Sequence, residues 1–96
     1  MDRILETKKA IKYKAIKYTD ELLNISPDFK VLLSIKTQLR FILDSFQKGH
    51  FPTDTEKESI NIGVIAVREF ENTDPYYAEL LEKVSYLYKH PEIKRL

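Results

Sequence analysis

The side chains best equipped for chemistry in this chain are scattered. It has two histidines and no cysteine. A metal site needs three or four ligands brought together. His50 and His90 stand forty residues apart with no thiolate to join them, so both read as solvated loop residues and neither a metal nor a cofactor is expected. Hydroxyl and carboxylate adjoin at Thr53-Asp54 and at Thr73-Asp74. A nucleophilic threonine needs a base within hydrogen-bond reach, and no histidine lies near either pair in sequence. Helix capping accounts for both better. Glu56 and Glu58 would point about 200° apart on a helix, too far round to converge as an acid–base pair. Two glycines cannot build a phosphate-cradling loop. No catalytic constellation emerges, and the chain is not expected to be an enzyme.

Composition narrows the class further. Ninety-six residues, 43% hydrophobic and 32% charged, have apolar surface enough for one core and fit a single globular domain over 1–96. Few glycines and prolines argue against a many-stranded β fold. Met1 to Lys9 holds no uninterrupted apolar core, so no signal peptide is expected. The longest apolar run, Ile62 to Val67, is far shorter than the roughly 18 residues a membrane span needs. A cytoplasmic protein with no membrane contact is the simplest reading. The net charge is only +1, yet residues 54–82 hold eight acidic and two basic side chains, a net −6. Such a segment is an electrostatic feature that a partner can read.

Four helices are needed to carry these residues, at about 3–24, 28–48, 54–71 and 75–89. In the first, Ile4, Ile11, Ala15, Tyr18, Leu22 and Ile25 form a heptad-like stripe, with Lys8, Lys9, Lys12, Lys14 and Lys17 on the other side. Ser26-Pro27-Asp28 has the makings of an N-cap, first-turn proline and dipole-compatible acid. The second helix buries Leu32, Ile35, Leu39, Ile42 and Phe46, and Gly49 suits its left-handed C-cap. Thr53 with Glu56 and Thr55 with Glu58 both have capping-box spacing, so the third helix starts at one or the other. Asp74-Pro75 starts the fourth, and His90-Pro91 stops it. Short connections favour antiparallel neighbours, so the expected fold is an all-α, single-domain antiparallel four-helix bundle.

The third helix departs from a simple stripe. With Ile60 as reference, Val64, Val67, Gly63, Phe70 and Ala66 spread over one broad side, while Ile65 falls among Lys57, Asn61, Arg68, Glu58 and Glu69. Ile65 is then either core in a helix with several neighbours or an apolar anchor ringed by charge, as binding surfaces are built. Gly63, which costs about 1 kcal/mol in a helix interior relative to alanine, points to a close neighbouring helix. Of six tyrosines, Tyr18, Tyr77 and Tyr88 fit core stripes, and Tyr13, Tyr76 and Tyr86 the surface.

Two stretches carry a resemblance. One is Val31-Leu32-Leu33-Ser34, with Lys36, Gln38-Leu39 and Ile42. The more specific one is Ala66-Val67, Arg68, Glu69-Phe70, Glu71 and Thr73-Asp74-Pro75. Over roughly residues 26–88 the chain resembles the small helical immunity proteins that protect bacteria from type VI secretion NAD(P)+ glycohydrolase effectors. The longer lysine-rich first helix and the tail from Lys89 to Leu96 depart from that pattern. The resemblance implies no catalysis: the protein would bind a cognate effector toxin domain, occlude its active site and spare cytoplasmic NAD(P)+. A pocket for a dinucleotide pyrophosphate is electropositive, and the −6 segment complements it. The partner-binding candidates are Ile65, Arg68, Glu69, Glu58 and Tyr76, with Asn61 at the rim. For Arg68, Glu69 and Asp74, capping and surface ion pairing are the competing roles. The expected assembly is a monomer when free and a 1:1 pair with the toxin.

Two other readings stay open. A helical adaptor for a different protein would share every feature named so far. Nucleic-acid binding through the lysine stripe of the first helix, with Tyr13 among the lysines, is opposed by the absence of accompanying arginines there and of any recognition motif.

Overall fold

The computed structural model describes residues 3–90, with side chains from residue 9 onward; Ile4, Lys8 and the tail beyond His90 lie outside the described side chains. The described chain is helical and contains no strand. Helix α1 spans Arg3–Ile25, α2 Lys30–Gln47, α3 Asp54–Ser59, α4 Ile62–Ile65 and α5 Pro75–Lys89; α4 runs directly into a π-helical turn, Ala66–Phe70. No described helix is long and apolar enough to cross a membrane.

The helix ends follow local chemistry. At Gly49 the backbone turns left-handed, φ 67°. This lets Gly49 N–H reach the Phe46 carbonyl at 3.1 Å and His50 N–H the Ser45 carbonyl at 2.9 Å, the paired bonds that satisfy a helix C-terminus. Thr53, not Thr55, makes the capping box: Glu56 N–H donates to Thr53 Oγ1 at 3.1 Å, and Thr53 N–H to Glu56 Oε1 at 2.9 Å. That second bond, with His50 at 3.1 Å, holds the Glu56 carboxyl below its usual range. At α5, Asp74 accepts from Tyr77 N–H at 3.2 Å and Pro75 occupies the first turn, as the sequence leads one to expect. Ser26-Pro27-Asp28 is different. Phe29 N–H closes a turn onto the Ser26 carbonyl at 3.2 Å, and α2 begins only at Lys30. A proline's fixed φ suits the second position of a turn as well as a helix start, so this tripeptide does not choose between them.

Helix α5 is the best buried element. It packs against α1, α4 and the π turn, burying Tyr77, Ala78, Leu80, Leu81, Val84, Leu87 and Tyr88. Helix α1 contributes Ile11, Ala15 and Thr19 to the interior, and α2 Leu32, Ile35, Leu39 and Ile42. Two expectations for α1 are corrected here. Ile25, at the helix's last turn, is 79% exposed. Lys12 is only 5% exposed, with its ammonium 4.0 Å from the centre of the Phe46 ring. The stem of a lysine packs like an aliphatic residue and its head is attracted to an aromatic face. The basic stripe of the first helix is therefore interrupted at its middle.

The largest correction concerns residues 54–71, which are not one helix. At Ile60 the backbone is extended (φ −88°, ψ 117°), and a new helix starts with Asn61 as its cap residue. Ile60 and Ile62 explain the break. In a continuous helix they would lie about 200° apart, yet both are buried; the extended residue lets both face the same core. Gln38 of α2 stitches the break. Its Oε1 accepts from Asn61 N–H at 2.9 Å and its Nε2 donates to Asn61 Oδ1 at 2.7 Å. Replacing Gln38 by leucine is expected to cost about 1 kcal/mol in urea unfolding and to speed amide exchange at Asn61, with the distant Ile42 amide unaffected.

Gly63 then sits where α4 crosses α5. A Cβ added there would stand 3.2 Å from Ser85 Oγ and 3.4 Å from Ser85 Cβ, a tight contact that favours glycine and agrees with the close helix approach its position signals.

Candidate partner interface

Phase decides which side of residues 61–71 faces outward. Measured from Ile62 at about 100° per residue, Ile65 and Ala66 return to within roughly 60° of it, while Val64 and Val67 fall about 200° and 140° away. The structure follows that phase. Ile65 is 6% exposed and packed in the core, so it is not a surface anchor; Val64 is 61% exposed and Val67 47%. The apolar residues that meet solvent here are the ones the uninterrupted helix would have buried. Asn61, between the two isoleucines, is a residue type that often starts helices, but here its side chain bonds Gln38 and no α4 N–H, so the break is set by α2.

The remaining candidates stay on the surface. Arg68 and Glu69 are exposed and pair with each other, Arg68 Nε to Glu69 Oε2 at 3.5 Å. Glu58, on α3, is exposed and its carboxylate pairs with no cation among the described residues. Asn61 is exposed and held by Gln38. Tyr76 is exposed at the start of α5, its ring 5.6 Å from that of Tyr18. Asn61, Arg68 and Glu69 therefore share one short stretch with Val64 and Val67. Glu58 precedes the break and Tyr76 follows the next turn.

A hydrogen-bonded aromatic cluster fixes the far end of that stretch. Tyr18 Oη donates to Asp74 Oδ2 at 2.6 Å, while Asp74 caps α5 with its other oxygen and its own N–H reaches the Phe70 carbonyl at 2.7 Å. Tyr77, fully buried, stacks on Tyr18 with ring centres 5.0 Å apart and meets Phe70 edge-on at 5.0 Å. Its hydroxyl lies 2.6 Å from Thr19 Oγ1. Thr19 spends its one proton on the Ala15 carbonyl at 2.7 Å, so Tyr77 is the donor.

This cluster is sensitive to base. The hydrogen bond to Asp74 pushes Tyr18 up to about 12, and burial does the same to Tyr77. Both phenols keep their protons longer folded than unfolded. Their stabilisation is present below pH 10 and is lost as pH rises from 10 towards 12. Unfolding free energy should fall through that window, and Tyr18→Phe should flatten the fall.

The acidic segment is only partly neutralised within the chain. Glu56 bonds His50, Glu69 pairs with Arg68, Asp74 with Tyr18 and Glu79 with Lys83. Asp54, Glu58, Glu71 and Glu82 are exposed and pair with no cation among the described residues. No group of described histidine, aspartate and glutamate side chains could hold a metal ion.

Fold and surface together define a small helical protein with an outward apolar ridge beside unpaired acids, which are features of protein–protein recognition. The family model for Tsi6 matches residues 7–90, and the chain belongs to this family of type VI secretion immunity proteins. No curated protein and no solved structure matches the chain.

Proposed function

We propose that the protein binds a cognate effector toxin, an NAD(P)+ glycohydrolase domain, as a 1:1 complex in the cytoplasm, and blocks its active site. The four helical regions stand in this reading as an antiparallel bundle whose α3-to-α5 side meets the toxin. The observation that carries the reading is the set of unpaired carboxylates, Asp54, Glu58, Glu71 and Glu82, within a segment of net −6. A cleft that accepts a dinucleotide must neutralise a pyrophosphate, and cationic walls attract and orient an acidic inhibitor.

Size permits the task. The described surface is 6451 Å², and a standard interface takes about 800 Å² from each partner, an eighth of it. Protection against a catalyst calls for nanomolar affinity, about −12 kcal/mol. Co-expression with a candidate cognate NAD(P)+ glycohydrolase domain, followed by size exclusion with light scattering, should yield a single 1:1 species. Separate elution of the two chains at micromolar concentration would refute the pairing.

A further inference from the structure

Residues 54–70 carry two apolar registers, and the fold uses one of them. In a single helix running on from the Thr53 cap, Ile60, Val64 and Val67 fall within about 60° of one another and form an inward stripe. In the fold, Ile62, Ile65 and Ala66 are buried instead, and Val64 and Val67 meet solvent. Local sequence does not choose between them: no proline stands between Thr53 and Pro75, and Asn61 makes no side-chain bond to the α4 backbone. The choice is enforced at both ends. At the first, Ile60 is extended, and Gln38 of α2 takes the N–H and the side chain of Asn61 at 2.9 and 2.7 Å. At the second lies the π turn. On α-helical spacing from Ile62, Glu69 would come round to within about 20° of the core and Phe70 about 80° away. The wider i→i+5 turn delays both, so that Phe70 is buried and Glu69 exposed.

The two registers are close in content. Joining α3 to α4 exchanges two buried isoleucines, Ile62 and Ile65, for Val64 and Val67. It also restores the helical hydrogen bond from Asn61 N–H to the Lys57 carbonyl that the extended Ile60 interrupts. Packed side chains interdigitate only at certain rotations, so a helix moves between such arrangements in steps. We infer that residues 54–70 form a two-register element and that the Gln38–Asn61 clasp is the latch holding the broken one. Released, the segment joins into one helix, turning Ile65 outward and Val64 and Val67 inward. One side chain of α2 thereby decides which apolar groups this part of the surface presents.

The test is made on the full chain by NMR, with two readouts. The Ile60 Cα chemical shift separates helical from extended backbone, and line broadening of valine and isoleucine methyls by a soluble nitroxide reports exposure. Gln38→Ala/Asn61→Ala removes both clasp bonds and places a strong helix former at position 61. It should move the Ile60 shift to a helical value, at least halve the broadening at Val64 and Val67, and at least double it at Ile65. Gln38→Glu keeps an acceptor for Asn61 N–H and should match the wild type. An extended Ile60 with wild-type broadening in the double variant would overturn the latch. Should the double variant unfold, relaxation dispersion on Gln38→Ala decides: a minor state with helical Ile60 supports the inference, and a random-coil shift or no dispersion overturns it.

Discussion

Replacing Tyr77 by alanine is expected to destabilise the fold by about 3–5 kcal/mol, the range for deleting a buried aromatic side chain. A domain of this size commonly has about 5–15 kcal/mol in total, so the variant should sit near the edge of unfolding at physiological temperature. Three things disappear together: the stacking on Tyr18, the edge contact with Phe70, and the hydrogen bond to Thr19. Tyr77→Phe separates them. It keeps both ring contacts and should cost only about 1 kcal/mol, because Thr19 retains its bond to the Ala15 carbonyl. Guanidinium unfolding checks both, with a shift in midpoint at unchanged slope for Tyr77→Phe. A loss below 1 kcal/mol for the alanine variant would show that the cluster is not integral to the core.

The second large effect is kinetic. Glu58 and Glu71 are exposed and pair with no cation among the described residues, so Glu58→Lys/Glu71→Lys changes net charge by four without breaking a described ion pair. Stability should move by no more than about 0.5 kcal/mol. The association rate with the toxin should fall tenfold or more at low ionic strength, and its dependence on salt should weaken, because steering acts through long-range fields that salt screens. Stopped-flow mixing at several salt concentrations reads this directly. The reversal is cleaner than one at Glu69, where the pair with Arg68 would be lost as well. Unchanged association at low salt would remove steering from the account.

Much of this architecture is legible in the residues because short-range chemistry writes it. Gly49, Thr53 with Glu56, and Asp74-Pro75 each satisfy backbone groups at a helix end, and each does so where expected. Leu32, Ile35, Leu39 and Ile42 of the α2 stripe are buried as helical spacing predicts, with Phe46 half-buried, and the tyrosines divide as expected except that Tyr18 is half-buried. What spacing alone does not reveal is a break imposed from outside the helix. The bond donors and acceptors that stabilise the discontinuity at Asn61 come from Gln38, 23 positions earlier. A local reading of residues 54–71 therefore carries the phase of Ile60 across the break and exchanges Ile65 for Val64 and Val67. The same limit applies to Lys12. Its place on the polar side of α1 says nothing of the Phe46 ring on another helix that covers it. Tyr18 and Asp74 are 56 positions apart, so their clamp becomes visible only once α1 and α5 are packed together.

The central claim is that this protein acts by occupying another protein's substrate cleft. It is tested most directly by titrating it into a fixed amount of the glycohydrolase domain it is proposed to bind while following NAD+ hydrolysis. The account predicts a linear fall in rate that reaches zero at one equivalent. Full hydrolysis in the presence of excess protein, or consumption of NAD+ by this protein alone, would contradict it.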